Sequence, residues 1–179
     1  PKELVKQMIN LFPIEFLREK ENTWLDPGTG EGNLSFYLLE RLKLETGMSD
    51  QHIINNMLHM VEINAERLTT LNSKFGNPNI YIGDFTETKI DPFGKLFDAI
   101  ICNPPFNTNG TIKPPTKKGS KLEDGKNAWC GFVKKAVTLL KDDGYMCIII
   151  PAIWLKPDKI KMYDFITQYK IHKMHFMTN

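Results

Sequence analysis

Thr23-Trp24-Leu25-Asp26-Pro27-Gly28-Thr29-Gly30-Glu31-Gly32, followed from about Asn33 to Glu45 by Leu34, Leu38 and Leu42 at helical spacing, reads as strand, glycine loop and helix. Glycines in such a loop let backbone approach a ligand closely, because they carry no Cβ and tolerate unusual φ. The spacing is not that of a dinucleotide fingerprint: Gly28, Gly30 and Gly32 are followed by Asn33, so the third glycine is misplaced. No Gly-Lys-Ser/Thr follows either, which excludes the phosphate loop of nucleotide hydrolases. A negative Asp26 in the turn is a poor neighbour for phosphates and a good one for an amine carrying positive charge.

Outward from this unit the pattern repeats. Leu4, Val5, Met8, Ile9, Leu11 and Phe12 predict a helix over 3–12, stopped by Pro13. Leu58 to Val61 predicts a strand closed by Glu62, and 64–75 a helix with Leu68, Leu71 and Phe75 inward. Asn79 to Ile82 is a third strand, ended by Gly83-Asp84-Phe85, and Phe97 to Cys102 a fourth. A helix over about 128–140, a turn at Lys141-Asp142-Asp143-Gly144, a strand over 145–150, a helix over about 158–169 and a last strand over 171–176 complete the chain. Strands alternating with helices predict an α/β fold, a doubly wound, mostly parallel sheet with helices on both faces. Ligands of such sheets bind at the carboxyl ends of the strands. Asp26 with its glycines, Glu62, Asp84 and Asn103 all fall there, at the tips of consecutive strands.

The fourth tip is Asn103-Pro104-Pro105-Phe106. Two prolines forbid the strand from continuing and push the preceding residue toward extended geometry, which holds the Asn amide and nearby carbonyls with no ladder partner competing for them. That suits a site gripping a planar amino group; a proline-rich strand exit with an Asn cap is the plainer alternative. Glu62 offers two carboxylate oxygens to the hydroxyls of a ribose. Asp84 offers an acceptor to an adenine amino group, with Ile63 and Phe85 as flat apolar contacts. Amine, ribose and adenine without phosphate describe S-adenosylmethionine.

The chain has 179 residues, with 23 basic against 21 acidic side chains and a formal charge of +2. That suits one domain with a real core, and the balance does not by itself announce a nucleic-acid binder. The loop 107–127 is locally basic, with Lys113, Lys117, Lys118, Lys121 and Lys126 against Glu123 and Asp124. It is expected to order on the phosphates of a nucleic acid, the alternative being a solvated flexible loop. Cys102, Cys130 and Cys147 lie in apolar surroundings without metal-ligand spacing and predict reduced thiols in a cytoplasmic or other intracellular reducing compartment. His172 and His175 lack acidic or thiol companions, so no structural metal is expected. No run is long enough to span a membrane. The chain starts without Met and reads as a fragment of a longer protein.

With these residues assembled, the chain resembles the S-adenosylmethionine-dependent N6-adenine DNA methyltransferases. Asp26-Pro27-Gly28-Thr29-Gly30 is similar to the family's cofactor loop, Glu62 to its ribose-binding acid, Asp84 to its adenine-binding acid, and Asn103 to Phe106 to its catalytic (D/N)PP(Y/F/W) motif. Pro1-Lys2-Glu3-Leu4-Val5 resembles the segment before the cofactor loop, whose usual Thr would lie before residue 1. The cofactor loop precedes the catalytic motif, as in the gamma group, whose target-recognition domain comes later; that domain or a subunit is expected outside this fragment. The resemblance implies a Rossmann-like methyltransferase catalytic domain over 1–179 that moves a methyl group from S-adenosylmethionine to adenine N6 in DNA, as in restriction-modification. Asn103 and the Pro104 carbonyl would accept the hydrogens of the target nitrogen, Pro105 would stiffen the turn, and Phe106 would stack on the base. Alternatives are an RNA adenine or protein glutamine methyltransferase, and a non-catalytic cofactor-binding subunit.

Overall fold

The computed structural model describes residues 2–86, 92–106, 128–156 and 161–177, which divide into two compact units at Ile149–Ile150. The first holds one parallel sheet of five strands: β1 (Trp24–Asp26), β2 (Leu58–Glu62), β3 (Asn79–Ile82), β4 (Phe97–Cys102) and β5 (Leu140–Ile148), in the order β3-β2-β1-β4-β5. The register pairs Trp24 with both Leu58 and Ala99, so β1 is central. From it the chain steps outward twice to one side, then returns to the other. The reversal places the topological switch point between β1 and β4, where the doubly wound architecture opens a crevice beyond the strand ends.

Successive residues of a strand point to opposite faces, and both faces here are covered. Trp24, Ala99 and Ile101 pack with α1 (Lys2–Ile9), α2 (Ile14–Arg18), α3 (Asn33–Thr46) and α5 (Leu68–Phe75), through Met8, Leu17, Leu38 and Leu71 among others. Leu25, Ile100 and Cys102 face the other way, onto Phe132 and Ala136 of α6 (Ala128–Thr138). A short helix, α4 (Asp50–His52), runs into a π turn at Ile53–Met57 that delivers the chain to β2. The sequence pattern predicts these elements closely because strands buried on both faces read as unbroken apolar runs between turn residues.

Gly32 shows what the misplaced third glycine is for. It caps α3 with φ of 74°, and a Cβ there would lie 2.7 Å from Phe75 Cε2 and 2.8 Å from Leu71 Cδ2. Its bare backbone lets α5 pack against the start of α3. Gly32→Ala combines left-handed strain with overpacking, each costing on the order of 1 to 2 kcal/mol. The expected loss is about 2 to 4 kcal/mol, read as a lower denaturation midpoint at unchanged m-value.

Two expectations need correction. Lys141 to Gly144 does not precede the last strand of the sheet but forms an irregularity within β5: the ladder jumps from Phe97↔Leu140 to Ala99↔Tyr145. Asp143 takes a φ of 62°, and Lys141 Nζ donates to Asp98 at 2.9 and 3.0 Å, which anchors the excursion to β4. Residues 171–176 form no strand. Their apolar side chains, Ile171, Met174 and Phe176, are all exposed, and in a strand they would divide between the two faces, so no single face gains by burial. The second unit otherwise contains a 3-10 turn at Ala152–Leu155 and α7 (Met162–Ile166), which is shorter than the helix expected over 158–169: Lys161 takes a left-handed φ of 56° and the chain leaves the helix after Ile166 in a turn. Among the described residues no helix is long and apolar enough to cross a membrane. Among the described residues Cys102, Cys130 and Cys147 form no disulfide.

Candidate active site

β1 and β4 end side by side, so the glycine loop and the Asn-Pro-Pro-Phe motif meet at the switch point. A Cβ at Gly28 would come 3.9 Å from Cys102 Sγ, the residue before Asn103. An open cleft of about 240 Å³ lies there, lined by Asp26, Gly28, Thr29, Glu31 and Asn33 of the loop region, by Asn103, and by Leu4, Val5, Met8, Leu34 and Ile149. One wall is thus apolar and the other carries carboxylates and amides. Such a surface fits a ligand with an aliphatic arm ending in charged groups.

Asp26 is buried, and its carboxylate serves the loop before any ligand. Ser35 Oγ donates to Oδ2 at 2.8 Å and Gly28 N to Oδ1 at 3.4 Å, while the Thr29 and Ser35 hydroxyls lie 3.1 Å apart. Burial pushes the Asp26 carboxyl up to about 6, with the bonds from Ser35, Thr29 and Gly28 pulling the other way and the nearby Glu62 charge adding to the rise. A costly buried acid at a ligand cleft is more common at functional sites than elsewhere.

Glu62, at the tip of β2, is 3% exposed and lies beside the cleft without lining it. Gly30 N donates to its Oε2 and Asn64 N to its Oε1, each at 2.8 Å. Arg67 Nη1 then reaches both oxygens, at 3.2 and 3.3 Å. Gly83 N donates to the Glu62 carbonyl at 2.9 Å, which ties the β3 exit to the same rim. Beyond it Asp84 Oδ1 accepts from the Thr86 amide and hydroxyl, each at 2.7 Å, in a turn that fixes the carboxylate.

The rim therefore gathers Asp26, Pro27, Gly28, Thr29, Gly30, Glu62, Asp84 and Asn103 in strand order, although only four of these line the cleft. Ile63 is 66% exposed and presents apolar surface. Phe85, by contrast, is 2% exposed and packs on Phe132, so of this expected pair only Ile63 offers a free face. Phe106 is 43% exposed and Pro104 is buried, while Asn103 and Pro105 are open to solvent. Cys102 is wholly buried, and burial pushes its thiol well up, which keeps it from acting as a thiolate nucleophile. Loop 107–127, with Lys113, Lys117, Lys118 and Lys121, lies outside the described residues.

Sequence reasoning missed three contributors. Ser35 sits one residue past Leu34 on α3 and carries no motif signal. Of the apolar wall, Leu4 and Val5 fall in the segment that the resemblance sets before the cofactor loop, whereas Met8 read only as a helix face. Arg67 stands five residues after Glu62, a spacing that marks a pair only once the turn Ala65–Arg67 folds it back.

The family model for Eco57I restriction-modification methylases matches residues 32–179. A type II methyltransferase of Thermus thermophilus, M.TthHB8I, is 31% identical over an 81-residue alignment, with 38% of this chain and 19% of that protein covered. The type II methyltransferase M.AccI of Acinetobacter calcoaceticus is 25% identical over 177 residues, covering 87% of this chain and 29% of M.AccI. The chain thus spans roughly a fifth to a third of the length of these relatives. Among solved structures, a chain of a type I R-M system matches with a TM-score of 0.68 at 16% identity, over 93% of this chain and 35% of that one, a likeness of fold.

Proposed function

Because the chain belongs to the Eco57I restriction-modification methylase family, we propose that it transfers a methyl group from S-adenosylmethionine to the exocyclic N6 amino group of adenine in DNA. The observation that carries this reading is the meeting of the glycine loop after β1 and Asn103-Pro104-Pro105-Phe106 after β4 at one cleft. The residues present fit the donor. Asp26 gives negative potential where its amine would lie and the apolar wall of Leu4, Val5 and Met8 suits its aliphatic arm, while Glu62 at the tip of β2 and Asp84 just past β3, both outside that lining, would offer carboxylates to ribose and adenine. When bound, S-adenosylmethionine supplies an electrophilic methyl group on a sulfonium.

An exocyclic adenine nitrogen is a weak nucleophile, since its lone pair is conjugated with the ring. The Asn103 side-chain carbonyl and the Pro104 backbone carbonyl accept its two hydrogens, favour a tetrahedral nitrogen and orient its lone pair. Proline at 104 and 105 keeps those acceptors from swinging. The half-exposed Phe106 ring stacks on a base that has left its duplex, an extrusion costing a few kcal/mol that stacking offsets by about 1 to 3 kcal/mol. Lys113, Lys117, Lys118 and Lys121 hold phosphates. Neutralising all four is expected to weaken DNA binding and to flatten the slope of log affinity against log salt by up to about four times 0.9. Sequence choice falls to a target-recognition domain or subunit outside residues 1–179, in keeping with the length of the relatives.

Transfer of tritiated methyl from S-adenosylmethionine to pools of DNA, RNA and protein tests the reading. Label in DNA adenine, lost with Asn103→Ala, is the expected result. Label in RNA or in protein glutamine would redirect the substrate, and none in any pool would make the chain a binding subunit.

A further inference from the structure

A carboxylate offers about four acceptor sites, two on each oxygen. At Glu62 all four are taken: one on each oxygen by the backbone N–H groups of Gly30 and Asn64, and the other on each by Arg67 Nη1. The backbone bonds are part of the fold, because they join the glycine loop and the turn after β2. The Arg67 contacts are not. That side chain is 44% exposed and springs from the end of a three-residue turn, and its guanidinium lies across Gly30, 3.7 Å from where a Cβ would stand. The cleft lining stops short of Glu62 on this side.

We propose that Arg67 is a built-in competitor for the ribose site: it occupies the two outward acceptor sites of Glu62 that a ribose diol needs, and it must swing off for the cofactor to bind. This rests on the reading of Glu62 as the ribose-binding acid. The exchange is a near-balanced one. An ion pair with one solvent-exposed partner is replaced by two hydroxyl hydrogen bonds to the same charge, while the freed guanidinium regains water. Apparent affinity is lowered by the fraction of molecules whose Arg67 is away. The same contacts hold the Glu62 carboxylate aligned in the unbound protein, so the latch and the preorganisation of the acid are one device.

The test is calorimetric titration of S-adenosylhomocysteine into the wild-type chain, Arg67→Met, Glu62→Gln and the double variant. Arg67→Met is expected to tighten binding about 3- to 10-fold, and to change nothing in the Glu62→Gln background, where the anchor is gone. Should Arg67→Met fail to fold, Arg67→Gln, which keeps an N–H donor without the charge, carries the same expectation. Unchanged or weaker binding by the Arg67 variant, with the wild type binding normally, overturns the latch and leaves the cofactor assignment standing. Absence of binding by wild type and variant alike overturns both.

Discussion

Asn103→Ala is expected to lower the rate of methyl transfer by at least 10² to 10³-fold, the scale set by losing one preorganised partner of a reacting group. S-adenosylhomocysteine affinity should stay within about threefold and the melting temperature should not move. The side chain is exposed at the exit of β4, so removing it opens no cavity in the core. Asn103 also lines the cofactor cleft, but its acceptor acts most strongly in the transition state, where the target nitrogen changes from planar to tetrahedral, and such an interaction alters kcat more than binding. Asn103→Asp keeps an acceptor at the same place and stays within the (D/N)PP(Y/F/W) pattern, so it should retain most of the rate. A loss in both variants alike would mean that the amide orders the loop instead of the substrate, and a parallel fall in thermal stability would confirm that plainer role.

Much of this site was legible because strand tips are fixed by period and punctuation. Trp24-Leu25, Met60-Val61 and Ile100-Ile101 had to be buried, so the polar residues that end those runs had to emerge at one edge of the sheet. What was not legible depends on side chains that fold back. The sequence places Asp26 at the rim, but only three-dimensional packing shows Ser35 and Gly28 bonding to its carboxylate. Glu62 looks like an open acid until Arg67 is seen on it. Phe85 reads as a ring available to a ligand because it borders a turn, yet the second core needed its volume beside Phe132. The strand expected at 171–176 fails for a different reason, since β-propensity without a face to bury does not make a ladder.

Asp26→Asn is expected to make the protein more stable and less able to bind its cofactor. The buried carboxyl titrates near 6 in the folded chain against an ordinary value of 3.8. The folded state therefore holds a proton more tightly than the unfolded one, and stability falls as pH rises from about 4 to about 6, then stays lower at neutral pH. At about 1.4 kcal/mol per tenfold change in proton affinity, the ionised carboxyl costs the fold about 2 to 3 kcal/mol. Asn retains an acceptor for Ser35 but turns an amide toward the Gly28 N–H, which returns part of the gain. A net rise of about 1 to 2 kcal/mol remains, or roughly 3 to 6 °C in melting temperature for a chain of this size. The advantage should vanish below pH 4, where wild-type Asp26 is already neutral. S-adenosylmethionine affinity should meanwhile drop about 10- to 100-fold, and more than that of S-adenosylhomocysteine, which lacks the sulfonium charge. In the wild type the same affinity should weaken as pH falls through about 6, and the variant should lose that dependence. Thermal melts and titrations across pH 4 to 8 read both halves at once. A variant that is stabilised but binds as before would make Asp26 a loop acid only. One that is destabilised would mean that the Gly28 contact outweighs burial, and that the glycine loop is held open by the charge it shelters.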